Sequence, residues 1–99
     1  MEAVVFLEFA SGASGVRSCL LDRIAPLSLS GDARLSFVGT ERDDIRTAEV
    51  IALGFRSAQT AKAIMQRWTS DPAFPKAVEM RLLRVEPVWS IEPLAVMFP

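Results

Sequence analysis

Two segments of this sequence alternate as β-strands do, but both of their faces are apolar, so a sheet that contains them needs cover on each side. Residues 3–10 are rich in β-branched and aromatic side chains and contain no glycine or proline to interrupt a strand. Residues 47–56 show the same pattern. In the first segment, one face consists of Val5, Leu7 and Phe9, and the opposite face of Val4, Phe6 and Glu8. In the second segment, one face consists of Ile51, Leu53 and Phe55, and the opposite face of Ala48, Val50, Ala52 and Gly54.

A first helix is predicted after the loop that follows residue 10. Its apolar residues recur at helical spacing, and Ser14 is a suitable N-cap. Pro26 lacks a backbone donor and disfavours helical geometry at the residue before it, so we expect the helix to end or kink there. The residues that form its apolar stripe are Val16, Leu20, Ile24 and Leu27.

The second helix has the clearest signals in the chain. Ser57 is its predicted N-cap, and Asp71-Pro72 is its predicted end. Its apolar residues fall at positions i, i+3, i+4 and i+7, which form one buried stripe. That stripe consists of Ala61, Ile64, Met65 and Trp68.

Two more strands complete the order βαββαβ, which is that of the ferredoxin-like fold. Residues 34–40 alternate with Leu35, Phe37 and Gly39 on one face, and residues 80–91 form a long last strand with Pro87 at an edge or a bulge. We therefore expect an α+β domain over residues 1–91, with a four-stranded antiparallel sheet and two helices on one face. Residues 92–99 form an apolar C-terminal arm.

The composition favours association. Apolar residues make up 51% of only 99 residues, and the mean hydropathy is +0.28. A chain this short buries only a little more than about 60% of its unfolded surface. Since two helices cover only one face of such a sheet, we expect a second copy to cover the other, and twofold homodimers are the commonest oligomers.

Several motifs resemble the dimeric α+β barrel superfamily, especially its small single-domain members of uncharacterised function. The stretch from Val50 to Ala61 runs from strand into helix and leads to Trp68-Thr69-Ser70-Asp71-Pro72-Ala73-Phe74, and an earlier helix contains Ile24-Ala25-Pro26-Leu27. The resemblance covers residues 3–91. It implies a ferredoxin-like monomer whose sheet packs on its twin to close a barrel, with the helices outside.

This chain lacks residues on which most known activities of that superfamily depend. Its antibiotic-type monooxygenases use an asparagine, a tryptophan and a tyrosine, and its haem-binding members need an axial histidine. This chain has no histidine, tyrosine or asparagine, so only Trp68 or Trp89 could match part of such a set. We therefore expect no cofactor, and no metal site is apparent.

Glu8 is the best candidate for a catalytic base, because it ends an otherwise apolar strand face. A carboxylate in such a place can accept a proton from a substrate. The simpler interpretation, which we favour, is a cross-strand ion pair with Arg34, Arg56 or Arg84.

Met65, Trp68 and Phe74 are the candidates for a small hydrophobic ligand site between helix and sheet, and Arg84 on the last strand could bind an anionic group. Aromatic residues at helical spacing are more often core, and charges that alternate along a last strand more often guard a sheet edge. These structural roles are the favoured alternatives.

Charge and cysteine content limit the partners and the location. With 11 Lys and Arg against 12 Asp and Glu, the chain has no basic field for nucleic acid. Its apolar runs are too short to span a membrane, and its amino terminus lacks the positive region of a signal peptide. A single cysteine, Cys19, fits a reducing cytoplasm.

Three functions remain open. The favoured one is a homodimeric module that binds a small apolar or anionic ligand without a complete catalytic set. The alternative is a cofactor-free enzyme, isomerase-like or monooxygenase-like, that uses a carboxylate base on a small metabolite. A regulatory amino-acid-sensing domain shares the element order but is normally fused to an enzyme. An RNA-recognition domain also shares it, but the third strand lacks the expected basic-Gly-aromatic motif.

Overall fold

The computed structural model describes residues 2–12, 15–42 and 47–85, and it confirms the ferredoxin-like α+β fold. Each strand is antiparallel to its neighbours, and the order in the sheet is β2-β3-β1-β4. The elements are β1 (Ala3–Ala10), α1 (Val16–Ser30), β2 (Ala33–Arg42), β3 (Thr47–Phe55), α2 (Ala58–Ser70) and β4 (Glu79–Arg84).

The hydrophobic core lies between the two helices and one face of the sheet, which we call the covered face. Alternate residues of β1 are buried, as the sequence pattern predicts, and Val5 pairs with Leu53 at the centre of this face. The core side chains of the strands include Val5, Leu7, Phe9, Ile51, Leu53 and Phe55, and those of the helices include Leu20, Ile24, Leu27, Ala61, Ile64 and Trp68.

Of the two outcomes expected at Pro26, an end or a kink, the end does not occur, because helix α1 continues to Ser30. The helix loses the one hydrogen bond that the missing N–H of Pro26 would make. Leu27 is buried in the core just beyond the proline, and the burial of this side chain outweighs that loss. The end comes at Gly31, whose φ of 82° lies in the left-handed region that glycine adopts without strain. The predicted N-cap Ser14 lies outside the described residues.

Helix α2 begins and ends where the sequence predicts. The Ser57 hydroxyl accepts hydrogen bonds from the backbone N–H groups of Gln59 and Thr60, at 3.2 and 3.4 Å. Oε1 of Glu2, which lies just before β1, accepts from the Ala58 N–H at 3.5 Å. These bonds satisfy N–H groups that have no partner within the helix. At the other end, Asp71 is the C-cap.

A β-bulge in β2 changes the faces that the sequence pattern predicts for this strand. Leu35 pairs with Leu53 but Phe37 pairs with Ala52, so the two side chains lie on opposite faces rather than on the same one. The bulge inserts one extra residue and thereby reverses the alternation after it. Arg34, which pairs with Gly54, consequently shares a face with Phe37.

Strand β4 begins close to the predicted position and is described as far as Arg84. Val85, the next residue, lies beyond the strand and donates a backbone hydrogen bond to the Glu2 carbonyl at 2.8 Å. Residues 86–91 of the predicted strand and the apolar arm of residues 92–99 lie outside the described residues. Within the described ranges, no helix combines the length and apolar character needed to cross a bilayer.

Candidate functional site

The second face of the sheet, which we call the open face, is apolar and lies away from both helices. The strand register places side chains of all four strands on it, because cross-strand partners share a face. None of its members belongs to the hydrophobic core cluster. Its apolar residues are Val4 and Phe6 of β1, Phe37 of β2, Val50 and Ala52 of β3, and Leu83 of β4.

An aromatic pair dominates the centre of the open face. The rings of Phe6 and Phe37 have centroids 6.3 Å apart and are tilted by 58°. Both residues are cross-strand partners of Ala52, which is completely buried. Phe37 nevertheless remains 51% exposed and Leu83 55% exposed. The face is therefore a connected apolar surface rather than a set of isolated side chains.

Charged residues divide the open face along the strand direction. Glu8 is the cross-strand partner of Glu79, whereas Arg81, two residues along β4, is the partner of Phe6. Arg34 lies still further toward the same end, opposite Gly54. One end of the face is thus acidic and the other basic.

Glu8 is half-buried on the acidic end of the open face, and the structure does not bring it beside the arginines proposed as its partners. Arg34 lies at the opposite end of the sheet, and Arg84 pairs with Ala3, a residue of the covered face. Glu8 is not a free carboxylate, because it takes part in an electrostatic or hydrogen-bond interaction.

A cavity of about 510 Å³ lies where α2 ends, and we call it the Trp68 cavity. Trp68 and Phe74 stack in its wall, with ring centroids 5.5 Å apart and an interplanar angle of 14°. Both rings are also core residues, only 5% and 7% exposed. Lys76 and Met80 belong to the same lining.

The turn that follows α2 is tied to α1 through Asp71. The Arg23 guanidinium lies 2.7 Å from Oδ2 of Asp71 and stacks 5.3 Å from the ring centre of Phe74. Oδ1 of Asp71 accepts a hydrogen bond from the Ala73 N–H at 2.8 Å. That backbone bond, followed by the bond from Arg23, holds the pKa of Asp71 below its usual value. The same ion pair raises the pKa of Arg23.

Met65 and Arg84 lie progressively further from the Trp68 cavity. Met65 lines a neighbouring groove with Leu82, and Thr69 belongs to both linings, so the two spaces adjoin. Arg84 lies four residues beyond Met80 along β4, which is about 13 Å at the usual rise of a strand. The structure therefore brings Trp68 and Phe74 together, places Met65 beside them and leaves Arg84 at the other end of the strand.

A second cavity, of about 470 Å³, was not predicted from the sequence. It lies at the open end of the β2–β3 hairpin, where β2 begins and β3 ends. Arg34 and Arg56 both line it, together with Ser28, Asp32 and Phe55. Arg34 begins one strand of the hairpin and Arg56 follows the other, and the two ends of an antiparallel pair meet at the same edge. The sequence predicts that β2 and β3 are neighbours, but it does not predict the register that aligns Arg34 with the end of β3.

The described residues contain no group of three or more Cys, Asp or Glu side chains placed to hold a metal ion. Cys19 is a free, half-buried thiol on α1. Buried side-chain nitrogen and oxygen atoms in the described ranges all have partners.

This chain is similar to a solved structure over most of its length. No family model matches the chain, and no curated protein matches it. Among solved structures, an uncharacterized NIPSNAP domain protein from Burkholderia xenovorans is 19% identical, with a TM-score of 0.48. The match covers 88% of this chain and 96% of that one.

Proposed function

We propose that two copies of this chain pack their open faces together as a homodimeric α+β barrel that binds a small apolar or anionic molecule. The observation that carries the proposal is the open face itself. Phe37 and Leu83 are about half exposed on it, and neither described helix lies on that side. Covering this face removes apolar surface from water, which is the main driving force of association.

The area of the open face reaches the minimum that a specific interface needs. Four strands spaced at about 4.8 Å and eight residues long span about 19 by 26 Å, or about 500 Å² per copy. Two copies therefore bury about 1,000 Å² if the faces are treated as flat, and protruding side chains add to this area. A total of about 1,000 Å² is the lower limit for a specific interface.

The charges of the open face also favour a second copy as its partner. A twofold axis that lies between the sheets and runs across the strands reverses the strand direction of the second copy. Arg81 of one copy then lies toward Glu79 of the partner subunit, and the two acidic ends stay apart. Such pairing at the rim selects one orientation of the two sheets.

We assign the ligand to the Trp68 cavity and the adjoining Met65 groove. The cavity volume of about 510 Å³ lies within the usual range for small-molecule sites. Trp68, Phe74 and Met80 offer an apolar wall. Of the two charged residues in the lining, Asp71 is paired with Arg23, and the Lys76 ammonium offers a charge for a carboxylate. A small apolar acid suits this combination better than a neutral molecule does. In this assignment Arg84 stands too far away to touch the same ligand.

Binding is favoured over catalysis. The cofactor-free enzyme would need Glu8 as a free base near an arginine, but Glu8 is already engaged and Arg34 and Arg84 lie elsewhere. We place the dimer in the cytoplasm on the ground that Cys19 can form no internal disulfide.

The mass of the protein in solution tests the dimer. The wild-type chain of 10.9 kDa should sediment or scatter light as a species of twice that mass at micromolar concentration. Phe37→Asp and Leu83→Asp place a charge at exposed positions of the open face, so each should fold but remain monomeric. Leu29→Asp is the matched control, because Leu29 is 90% exposed on α1, away from this face. A wild-type monomer, or a dimer that survives both open-face substitutions, contradicts the proposal.

Phenylacetate, which joins an aromatic ring to a carboxylate, is a suitable probe of the Trp68 cavity. It should shift the NMR signal of the Trp68 side-chain N–H and raise the melting temperature. Lys76→Gln should weaken both effects, whereas Arg67→Gln on the exposed side of α2 should not. Shifts that are equal in the two variants would remove Lys76 from the site, and no shift at all would reject the assignment.

A further inference from the structure

We propose that Arg34 and Arg56 form a binding site for a small oxyanion, a carboxylate or a phosphate group, in the cavity at the end of the β2–β3 hairpin. Arg34 lies at the basic end of the open face, but the site is separate from the Trp68 cavity and from the ligand proposed for it. It therefore goes beyond the proposed function and can be tested without it.

The strand register brings the two arginines close together. Arg34 is the cross-strand partner of Gly54, and Arg56 follows Gly54 by two residues. Diagonal neighbours of this kind have Cα atoms about 7 to 8 Å apart, within reach of two long side chains. Both residues line the same cavity of about 470 Å³. Two positive charges at this distance repel each other unless an anion lies between them.

No described carboxylate forms an ion pair with either arginine. The ion pairs within residues 2–12, 15–42 and 47–85 join Arg17 to Glu49 and Arg23 to Asp71. Asp32 also lines the cavity and accepts a hydrogen bond from the Ser30 hydroxyl at 3.0 Å through Oδ2, but it forms no ion pair with Arg34 or Arg56.

The nearby Glu2 also forms no ion pair with Arg34 or Arg56. Its Oε1 accepts the hydrogen bond from the Ala58 N–H at the start of α2. The charged residues of the cavity lining are Arg34, Arg56 and Asp32, two positive and one negative, so the lining carries a net charge of +1.

The chemistry of the lining identifies the class of ligand. A guanidinium group is planar and presents paired donors that match the oxygens of a carboxylate or phosphate. An oxyanion between Arg34 and Arg56 is attracted to both guanidinium groups, and this attraction offsets the repulsion between them. Asp32 repels a second anionic group but accepts a hydrogen bond, so the ligand should also carry a hydroxyl or amino donor. The ligand is thus a small hydroxy or amino acid, or a phosphate ester of a small alcohol.

Titration of the full chain with inorganic phosphate and with lactate at constant ionic strength tests the site. We expect saturable shifts of the backbone N–H signals of Arg34 and Arg56. Arg34→Gln and Arg56→Gln should each raise the dissociation constant at least about tenfold, since a loss of about 1.4 kcal/mol in binding free energy corresponds to a factor of ten. Tighter binding of phosphate identifies a phosphate ester as the ligand, and tighter binding of lactate identifies a free acid.

Arg67→Gln is the matched control, because it removes one positive charge from the exposed side of α2, outside this cavity. Unchanged binding by that variant supports the site. Equal weakening by all three variants indicates non-specific attraction and overturns the proposal, as does the absence of saturable binding by both probes. The titration is repeated on Leu83→Asp, which lies on β4 at the far edge of the sheet from Arg34, so that failure of the dimer and failure of the anion site are observed separately.

Discussion

At the scale of single residues, Ser57 determines where α2 begins. Its hydroxyl accepts two backbone hydrogen bonds at the helix start, and Ala in its place leaves those donors to water. We expect Ser57→Ala to lower the free energy of unfolding by about 1 kcal/mol, measured by urea denaturation. Ser18→Ala, at an exposed position inside α1, should change it by no more than about 0.5 kcal/mol. Equal effects of the two substitutions would show that the cap is not stabilising.

Asp71 should make the stability of the fold depend on pH in the acid range. Its pKa is lower in the folded chain than in the unfolded one, because the Ala73 N–H and the Arg23 guanidinium favour the carboxylate. Such a group stabilises the fold above its unfolded pKa, about 3.9, and this stabilisation is lost as the pH falls through the folded value. Melting curves should show a smaller loss below about pH 4 for Asp71→Asn than for wild type. Asp22→Asn, on the exposed side of α1, should follow the wild-type curve.

Individual functional residues were only partly predictable from the sequence. Helical spacing places Trp68 on the stripe that faces the sheet, and the short turn after α2 keeps Phe74 close to it, so their proximity follows from local order. The pairing of Arg34 with the end of β3 depends on which strands are neighbours and in which register. Local composition contains no information on that register.

At the scale of elements, α1 carries an avoidable destabilising residue. Pro26 is exposed, cannot donate a helical hydrogen bond and lies between two turns that pack well through Ile24 and Leu27. We expect Pro26→Ala to raise the free energy of unfolding by about 1 to 2 kcal/mol, less than the full helix-interior penalty of about 3 because proline also restricts the unfolded chain. Urea denaturation measures the change.

Pro72→Ala is the control for that prediction, since Pro72 lies in the turn after α2, where no helical hydrogen bond is missing. It should not stabilise the protein. An unchanged free energy of unfolding for Pro26→Ala would mean that Pro26 does not destabilise α1.

Strand β2 shows where a periodic pattern fails at this scale. The alternation of residues 34–40 predicts one face for Leu35 and Phe37, but the bulge between them separates the two. A bulge is a feature of two paired strands, because it consists of two residues opposite one. The pattern of one strand alone cannot reveal it. Its effect is large, since it moves Arg34 and Phe37 onto the same open face.

At the scale of the whole molecule, the proposed dimer predicts that stability depends on protein concentration. A chain that is folded as a dimer gains stability by mass action, so its melting temperature should rise with concentration. Calorimetry over a hundredfold range of concentration measures this shift. Phe37→Asp should abolish the dependence, and Leu29→Asp should retain it. A melting temperature that does not change with wild-type concentration speaks against a dimer in this range.

We also propose that the apolar arm of residues 92–99 packs against the partner subunit. Its side chains, which include Leu94, Val96 and Phe98, are unfavourable in water. Truncation after Glu92 should therefore weaken dimerisation, measured by sedimentation equilibrium, while the monomer stays folded. An unchanged dimerisation constant would exclude the arm from the interface.

Local patterns were enough to predict the order βαββαβ, the cap at Ser57 and the two apolar faces of β1 and β3, because periodicity and turn chemistry act over a few residues. The strand register, the bulge in β2 and the meeting of Arg34 with Arg56 arose only in the folded sheet. Each of these depends on contacts between segments far apart in the chain, and such contacts form only once the core has set which strands are neighbours and how they are aligned.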